Sequence, residues 1–300
     1  MNNKPNLFLI GSPKTGSTAL AKNISQHSQI FLPKYGKERF FDAITYYDYQ
    51  EDCPVNSLDD FLSSYTSKEA TESRYRLDPC ALSMYKKESI ENILKLSPDA
   101  KFIIILRDPV EASISMFHQR LSYVDIPMRE VCDDFNKCWN LLEDRKEGKG
   151  YPKGCRNKFL FRYDLLYSYQ NYLPYLKERL GDNLFIGFYD EYKDTPDMFF
   201  DKLFSFLELD AIKIESKKIN KSAIVKKTLF LNILNKIAKN TIDIRKKLGL
   251  LGLVNIQKNI VSKYRKPIKS VKAEQKVYDF FKPTYEYLES LKNDKYHSPK

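Results

Sequence analysis

Three short apolar runs punctuate the chain, and each is closed sharply. Leu7 to Ile10 ends at Gly11, Phe102 to Leu106 ends at Arg107-Asp108-Pro109, and Leu184 to Phe188 ends at a Tyr-Asp-Glu stretch. Runs of this length without alternation predict strands buried on both faces. Between them the apolar spacing changes to the helical period. Ala19, Leu20 and Ile24 predict a helix directly after the first run. Ser57 to Tyr65, with a serine cap, predicts a second, and Met84 to Pro98 a third, stopped by its proline. A helix follows Pro109, which suits its first turn. Pro127 is expected to open another, through about Asp144, and a long aromatic helix is expected to run to about Leu180. Pro196 begins a further helix, and a last helical hairpin or bent helix turns at Pro283. Ile30 to Ala43 reads as a short extended piece, a turn at Pro33 to Gly36 and a helical start. Residues 44–56 read as loop, Ala70 to Pro79 as a short strand leading into a turn, and Glu147 to Lys158 as a mobile loop. Strands alternating with helices imply an α/β fold: a central parallel β-sheet flanked by helices. Ligands of such sheets bind at the carboxyl ends of the strands.

Composition narrows this reading. At 300 residues the chain is long enough for one large α/β domain or two small ones. An apolar share of 42% with 14% aromatics excludes a disordered chain. No run approaches the roughly 18 apolar residues of a membrane span. The first residues lack a signal-peptide core and cleavage site, so a cytoplasmic protein is expected. Cys53, Cys80, Cys132, Cys138 and Cys155 are odd in number and contain no C-x-x-C, so free thiols are the expectation. His27, His118 and His297 are too scattered for a metal cluster, and no metal is expected. The net charge of +11 is uneven: residues 211–276 hold 18 Lys/Arg against 3 Asp/Glu, while the remainder is slightly acidic. That segment suits a polyanionic ligand or an anionic surface.

The chemistry concentrates after the first run. Gly11-Ser-Pro-Lys-Thr-Gly-Ser-Thr18 is a small-residue loop between a strand and a helix. That arrangement points backbone N–H groups and a helix N-terminus at an anion. The loop is P-loop-like, with one departure from G-x-x-x-x-G-K-[ST]: Ser17 stands at the lysine position, and Lys14 lies earlier, inside the loop. The second apolar run ends in Arg107, with Ser115 eight residues on. A guanidinium offers a planar fork to phosphate oxygens and a hydroxyl adds a short hydrogen bond. From the residues alone, Arg107 can instead pair with Asp108 or Glu111 as a helix-start ion pair.

The PKTGST loop resembles the 5′-phosphosulfate loop of sulfotransferases that use PAPS (3′-phosphoadenosine 5′-phosphosulfate). ILRDPVEASISMFH, Ile105 to His118, resembles the family's strand-ending arginine and serine pair, which holds the 3′-phosphate. GKERFFDA, Gly36 to Ala43, resembles the K-E-x-x-F-F segment of the saccharide-modifying branch, where the glutamate is the general base. ATESRY, Ala70 to Tyr75, loosely resembles the segment that follows in that branch. KKINKSAIVKKT, Lys217 to Thr228, resembles the late basic segment that closes over the nucleotide. The resemblance runs from about Leu7 to Leu291 and is specific at the first two motifs.

The resemblance implies a sulfotransferase fold and one sulfotransferase domain over residues 1–300, with the basic segment 211–300 packing on or capping the cofactor site. The cofactor implied is PAPS, with PAP as product and no metal. Lys14, Thr15, Gly16, Ser17, Thr18, Arg107, Ser115, Lys226 and Lys227 are its implied ligands. Lys14 and Glu38 are the implied catalytic residues, and Lys37, Glu72 and Tyr75 line the acceptor side. His118 is expected to be a packed helix residue. The implied reaction moves a sulfuryl group to a hydroxyl of a saccharide or glycolipid. Two other readings stand beside it. A P-loop NTP-dependent kinase would need Asp108 for magnesium and lacks the usual lysine. A basic protein could use residues 211–276 on nucleic acid or at the periphery of an anionic membrane; no specific nucleic-acid code is present.

Overall fold

In the computed structural model, the described residues are 4–33, 58–123, 125–155, 157–215, 223–225, 265–267 and 271–293. Five parallel strands form the main sheet: β1 (Leu7–Gly11), β2 (Ile30–Phe31), β3 (Tyr75–Asp78), β4 (Lys101–Leu106) and β5 (Leu184–Phe188). Their spatial order is β2-β3-β1-β4-β5. After β1 the chain lays down β2 at the edge and then β3 between β2 and β1, before crossing to the other side of β1 to lay down β4. The order therefore reverses between β1 and β4, which makes the carboxyl ends of those two strands the crevice of the sheet. Leu7 lies opposite Leu77 of β3 and Lys101 of β4, and β5 pairs with β4 from Phe102–Leu184 to Leu106–Phe188. A separate antiparallel pair joins β6 (Ala223–Val225) to β7 (Arg265–Pro267).

The apolar runs form strands because both faces of the sheet are covered. On one face Leu7, Leu9, Ile103 and Ile105 pack with Leu20, Ala21 and Ile24 of α1 (Ser17–Ile24). The same cluster takes in Phe199, Phe200, Leu203 and Phe204 of a later helix. On the other face Phe8 and Phe102 stack at 5.7 Å between ring centroids, and both are inaccessible to solvent. Burial of each such side chain stabilises the fold by about 1.5–3 kcal/mol.

Further helices follow, of which Tyr189–Asp194 was not expected from the sequence. They are α2 (Lys87–Leu96), α3 (Pro109–Ser122), α4 (Phe135–Asn140), α5 (Leu173–Leu180), α6 (Tyr189–Asp194), α7 (Pro196–Phe206), α8 (Gln275–Phe280) and α9 (Lys282–Asn293). The break between α8 and α9 is the bend expected near Pro283. The contacts divide the chain into two compact units. The first is residues 1–112, 166–219 and 281–300, and contains the whole parallel sheet. The second is residues 113–165 and 220–280.

Four expectations are corrected. The stretch after Pro127 is a single 3-10 turn, Ile126–Met128, and the helix begins only at Phe135, where the Asp134 side chain caps the Lys137 N–H at 2.8 Å. Cys138 of that helix and Cys132 form a disulfide, leaving Cys80 and Cys155 as free thiols among the described residues. The long aromatic helix is four short pieces, Lys158–Phe161, Tyr163–Leu166, Tyr169–Asn171 and α5. Tyr163, Tyr167 and Tyr169 are all fully buried there, and their hydroxyls seek acceptors on separate segments, which one continuous helix face could not reach. The Glu147–Lys158 stretch is a set of tight turns, with Gly148, Gly150 and Gly154 at positive φ. Arg145 Nε donates to the Gly150 carbonyl at 3.1 Å and ties the stretch down.

In the second unit that same arginine is the centre of a buried ionic cluster. Arg145 and Glu130 are both wholly buried, with Nη2 to Oε1 at 2.5 Å. The Tyr163 hydroxyl donates to Glu130 Oε2, and Arg145 Nη1 donates to the Phe161 carbonyl at 2.8 Å. Burial holds the Tyr163 phenol well above its ordinary value.

Candidate functional site

The loop after β1 turns in the left-handed region twice, at Lys14 (φ 70°) and Gly16 (φ 77°). Gly16 is also the N-cap of α1, so no side chain caps that helix start. The first N–H groups of a helix normally need an acceptor, and a glycine cap leaves them to one brought from outside. Gly11 is fixed by packing: a Cβ there would run into the Met84 side chain.

The loop carbonyls are tied down one after another. Thr15 Oγ1 donates to the Ser12 carbonyl at 2.6 Å, the Tyr167 hydroxyl to the Pro13 carbonyl at 3.3 Å, and Arg107 Nη1 to the Lys14 carbonyl at 3.1 Å. Three successive carbonyls of the loop are therefore held by donors. Thr15 is fully buried, so its hydroxyl serves the loop rather than its mouth. Lys14, Ser17 and Thr18 are half-buried at the loop and helix start.

Arg107 ends β4, the neighbour of β1. Its guanidinium lies over the Tyr189 ring at 4.5 Å and pairs with Glu111 one helical turn on, at 2.9 Å from Nη2 to Oε2. The helix-start ion pair foreseen for this arginine is therefore present, together with the bond to the Lys14 loop. Asp108 caps α3 by accepting from the Glu111 N–H at 2.8 Å, and its other oxygen accepts from the Tyr285 hydroxyl at 2.8 Å. An aspartate held on both oxygens suits a structural role better than a magnesium site. Tyr189 and Tyr192 of α6 back the loop, their rings 3.6 Å and 3.4 Å from where a Cβ on Gly16 would stand.

The structure thus brings Arg107 against the backbone of the loop that carries Lys14, Gly16, Ser17 and Thr18. Ser115 is half-buried on α3 within the second unit, eight residues beyond Arg107. His118 is buried against Phe117, as expected of a packed residue. The acceptor-side expectation for Glu72 and Tyr75 finds no support in their placement. Both lie at the amino end of β3, whereas the loop follows the carboxyl end of parallel β1. The Tyr75 hydroxyl is spent on the Leu207 carbonyl at 3.0 Å, and Glu72 is an exposed end-of-helix residue paired with Lys68. Lys37, Glu38, Lys226 and Lys227 lie outside the described residues. Sequence reasoning missed the tyrosines Tyr167, Tyr169 and Tyr189. For Tyr167 and Tyr169 the signal was a run of aromatics with polar tips, LLYSYQNY, where a plain helix core would carry Leu or Ile.

Among the described residues no group of His, Cys, Asp and Glu could hold a metal ion, and no helix is long and apolar enough to cross a membrane. The family model for the sulfotransferase domain matches residues 4–289. No curated protein sequence matches the chain. The structure is similar to that of a sulfotransferase from Alicyclobacillus acidocaldarius, with a TM-score of 0.57 and 16% identity, covering 82% of this chain and 96% of that one. A mouse sulfotransferase complexed with PAP aligns with a TM-score of 0.42 and 18% identity over 71% of this chain and 61% of its own. A sulfotransferase domain from the curacin biosynthetic pathway aligns at 0.40 and 18% identity over 69% and 75%. The family match runs from the first described residue into the last helix, and the parallel sheet agrees with it. The chain belongs to the sulfotransferase family and is a sulfotransferase enzyme.

Proposed function

We propose that this enzyme transfers a sulfuryl group from PAPS to a hydroxyl of a saccharide or glycolipid. The observation that carries the reading is the Arg107–Lys14 contact. It joins the two anion-type motifs in one crevice, at the ends of adjacent strands. The donor set fits a nucleotide with anionic groups at both ends. One end has the glycine-capped helix start and Lys14, and the other has the Arg107 fork. Ser115, Lys226 and Lys227 complete the set on the family resemblance. PAPS, when bound, supplies the activated sulfuryl group.

Lys14, the loop N–H groups and the Ser17 and Thr18 hydroxyls offset negative charge at the loop. This is preorganised electrostatic stabilisation, fixed before reaction because the loop is already anchored. Glu38 takes the proton of the acceptor hydroxyl, and Lys37 neighbours it. The acceptor class rests on the GKERFF segment that carries both residues. We read residues 1–300 as one catalytic domain, supported by a family match over 4–289, with the basic segment covering the nucleotide. We place the enzyme in the cytoplasm, with any contact to anionic membrane peripheral.

Calorimetric titration with PAP, set against ATP with and without magnesium, tests the donor. PAP should bind at micromolar concentration without metal, and preference for magnesium-ATP would replace this reading with a kinase. A panel of saccharide and glycolipid acceptors tests the rest. Glu38→Gln should keep PAP affinity and lose turnover; unchanged turnover would remove it as the base.

A further inference from the structure

Regular pairing between β1 and β4 stops short of the crevice. It shifts register between Leu9 and Gly11 and ends with Gly11 opposite Ile104. Beyond that point a buried tyrosine takes over. The Tyr169 hydroxyl donates to the Arg107 carbonyl at 3.1 Å, lies 3.5 Å from the Arg107 backbone nitrogen, and is 3.4 Å from Ser12 Oγ. Ser12 closes the circuit, donating from its N–H and its hydroxyl to the Ile105 carbonyl at 3.0 Å each. One phenol therefore touches the backbone of the turn that aims Arg107 and the side chain of the residue that starts the Lys14 loop. Its ring is inaccessible to solvent, with an edge against Tyr167.

We propose that Tyr169 is a positioning residue that sets the spacing between the Lys14 loop and the Arg107 turn, so that both ends of one nucleotide are gripped together. This rests on the reading that a single ligand spans the two motifs. Burial holds the phenol far above its ordinary value, so it keeps its proton and its donor role at every working pH. A clamp of this kind acts through geometry. Its signature is therefore not lost charge but lost coupling between the groups it spaces.

The test is a double-variant cycle on PAP affinity. Lys14→Ala, Arg107→Ala and the double variant are titrated in the Tyr169 background and again with Tyr169→Phe, which keeps the ring. In the Tyr169 background the double variant should lose less affinity than the product of the single losses, by about fivefold. In the Tyr169→Phe background the losses should multiply to within about twofold. Tyr169→Phe alone should weaken PAP binding by about three- to tenfold. Ser12→Ala, which removes the other end of the clamp and leaves the phenol, should loosen the coupling in the same direction and serves if Tyr169→Phe fails to fold. Coupling unchanged in Tyr169→Phe, or in Ser12→Ala where that variant stands in, overturns the proposal. Full PAP affinity in both Lys14→Ala and Arg107→Ala would instead overturn the underlying nucleotide assignment.

Discussion

Arg107 reaches from the end of β4 to the carbonyl oxygen of Lys14 at 3.1 Å, so the residue we propose for one anion also braces the loop we propose for the other. Its remaining N–H groups face Glu111, and its flat side rests on Tyr189. Only a planar fork can serve all three neighbours at once. Arg107→Lys keeps the charge and loses the fork. PAP affinity should fall by roughly 1.5–3 kcal/mol, the value of a charge-assisted contact. Calorimetry reads this, and affinity equal to wild type would show that the fork is not used.

Glu111 competes for the same guanidinium. It is 60% exposed, so the pair contributes little to folding. A ligand anion arriving at Arg107 must displace or share with that carboxylate. Glu111→Gln should therefore tighten PAP binding by about two- to fivefold with melting temperature unchanged. Weaker binding would mean that Glu111 orients the arginine rather than opposing the ligand.

Gly16 holds φ 77° at the start of α1, and the nearest atom to an added Cβ is 3.4 Å away on Tyr192. Space is thus adequate and the penalty is conformational. Gly16→Ala should destabilise the protein by about 1–2 kcal/mol, the cost of a left-handed L-residue. Chemical denaturation would show it, and stability equal to wild type would mean that the loop relaxes to another shape.

The Arg145–Glu130 pair is wholly buried, and both side chains carry further hydrogen bonds. Removing one partner strands the other charge. Glu130→Ala should cost about 3–5 kcal/mol, while replacing both residues with apolar ones of similar volume should cost much less. Urea unfolding of the two variants distinguishes a stranded charge from simple lost volume.

Glu91 gives a pH signature. Its carboxylate accepts from Arg179 at 2.7 and 3.0 Å and from the Tyr175 hydroxyl at 2.9 Å, and these bonds, Arg179's first, hold its carboxyl below the ordinary value. A depressed carboxyl adds stability above its unfolded pKa and loses it as pH falls through the folded one. Burial, then the bond to Glu91, pushes the Tyr175 phenol up to about 12, so its contribution is present below about pH 10 and fades as pH rises toward 12. Glu91→Gln should flatten the acid limb of a melting-temperature profile below about pH 4.5. A profile superimposable on wild type would dismiss the coupling.

The parallel sheet was legible because its strands are uniform apolar runs with sharp stops, and no competing pattern of equal strength exists at Leu7 to Ile10 or Phe102 to Leu106. The same stops located Lys14 and Arg107, since glycine and the Arg-Asp-Pro turn announce where a strand must end. The tyrosine-rich stretch was misread because Tyr163, Tyr167 and Tyr169 look like a helix stripe by hydropathy alone. Only the positions of distant carbonyls reveal that each hydroxyl breaks that stripe to find its acceptor. The end of the sheet that Glu72 and Tyr75 occupy was not legible: a motif gives neighbours in sequence, whereas the direction of β3 decides which end of the sheet they occupy.

The three carbonyls at Ser12, Pro13 and Lys14 are each claimed by a different stretch of chain, from Thr15, Tyr167 and Arg107. The short motif is therefore not portable. Spliced into a foreign strand and helix, Gly11 to Thr18 would arrive without two of its three anchors and would be free to swing its oxygens toward the anion it ought to attract.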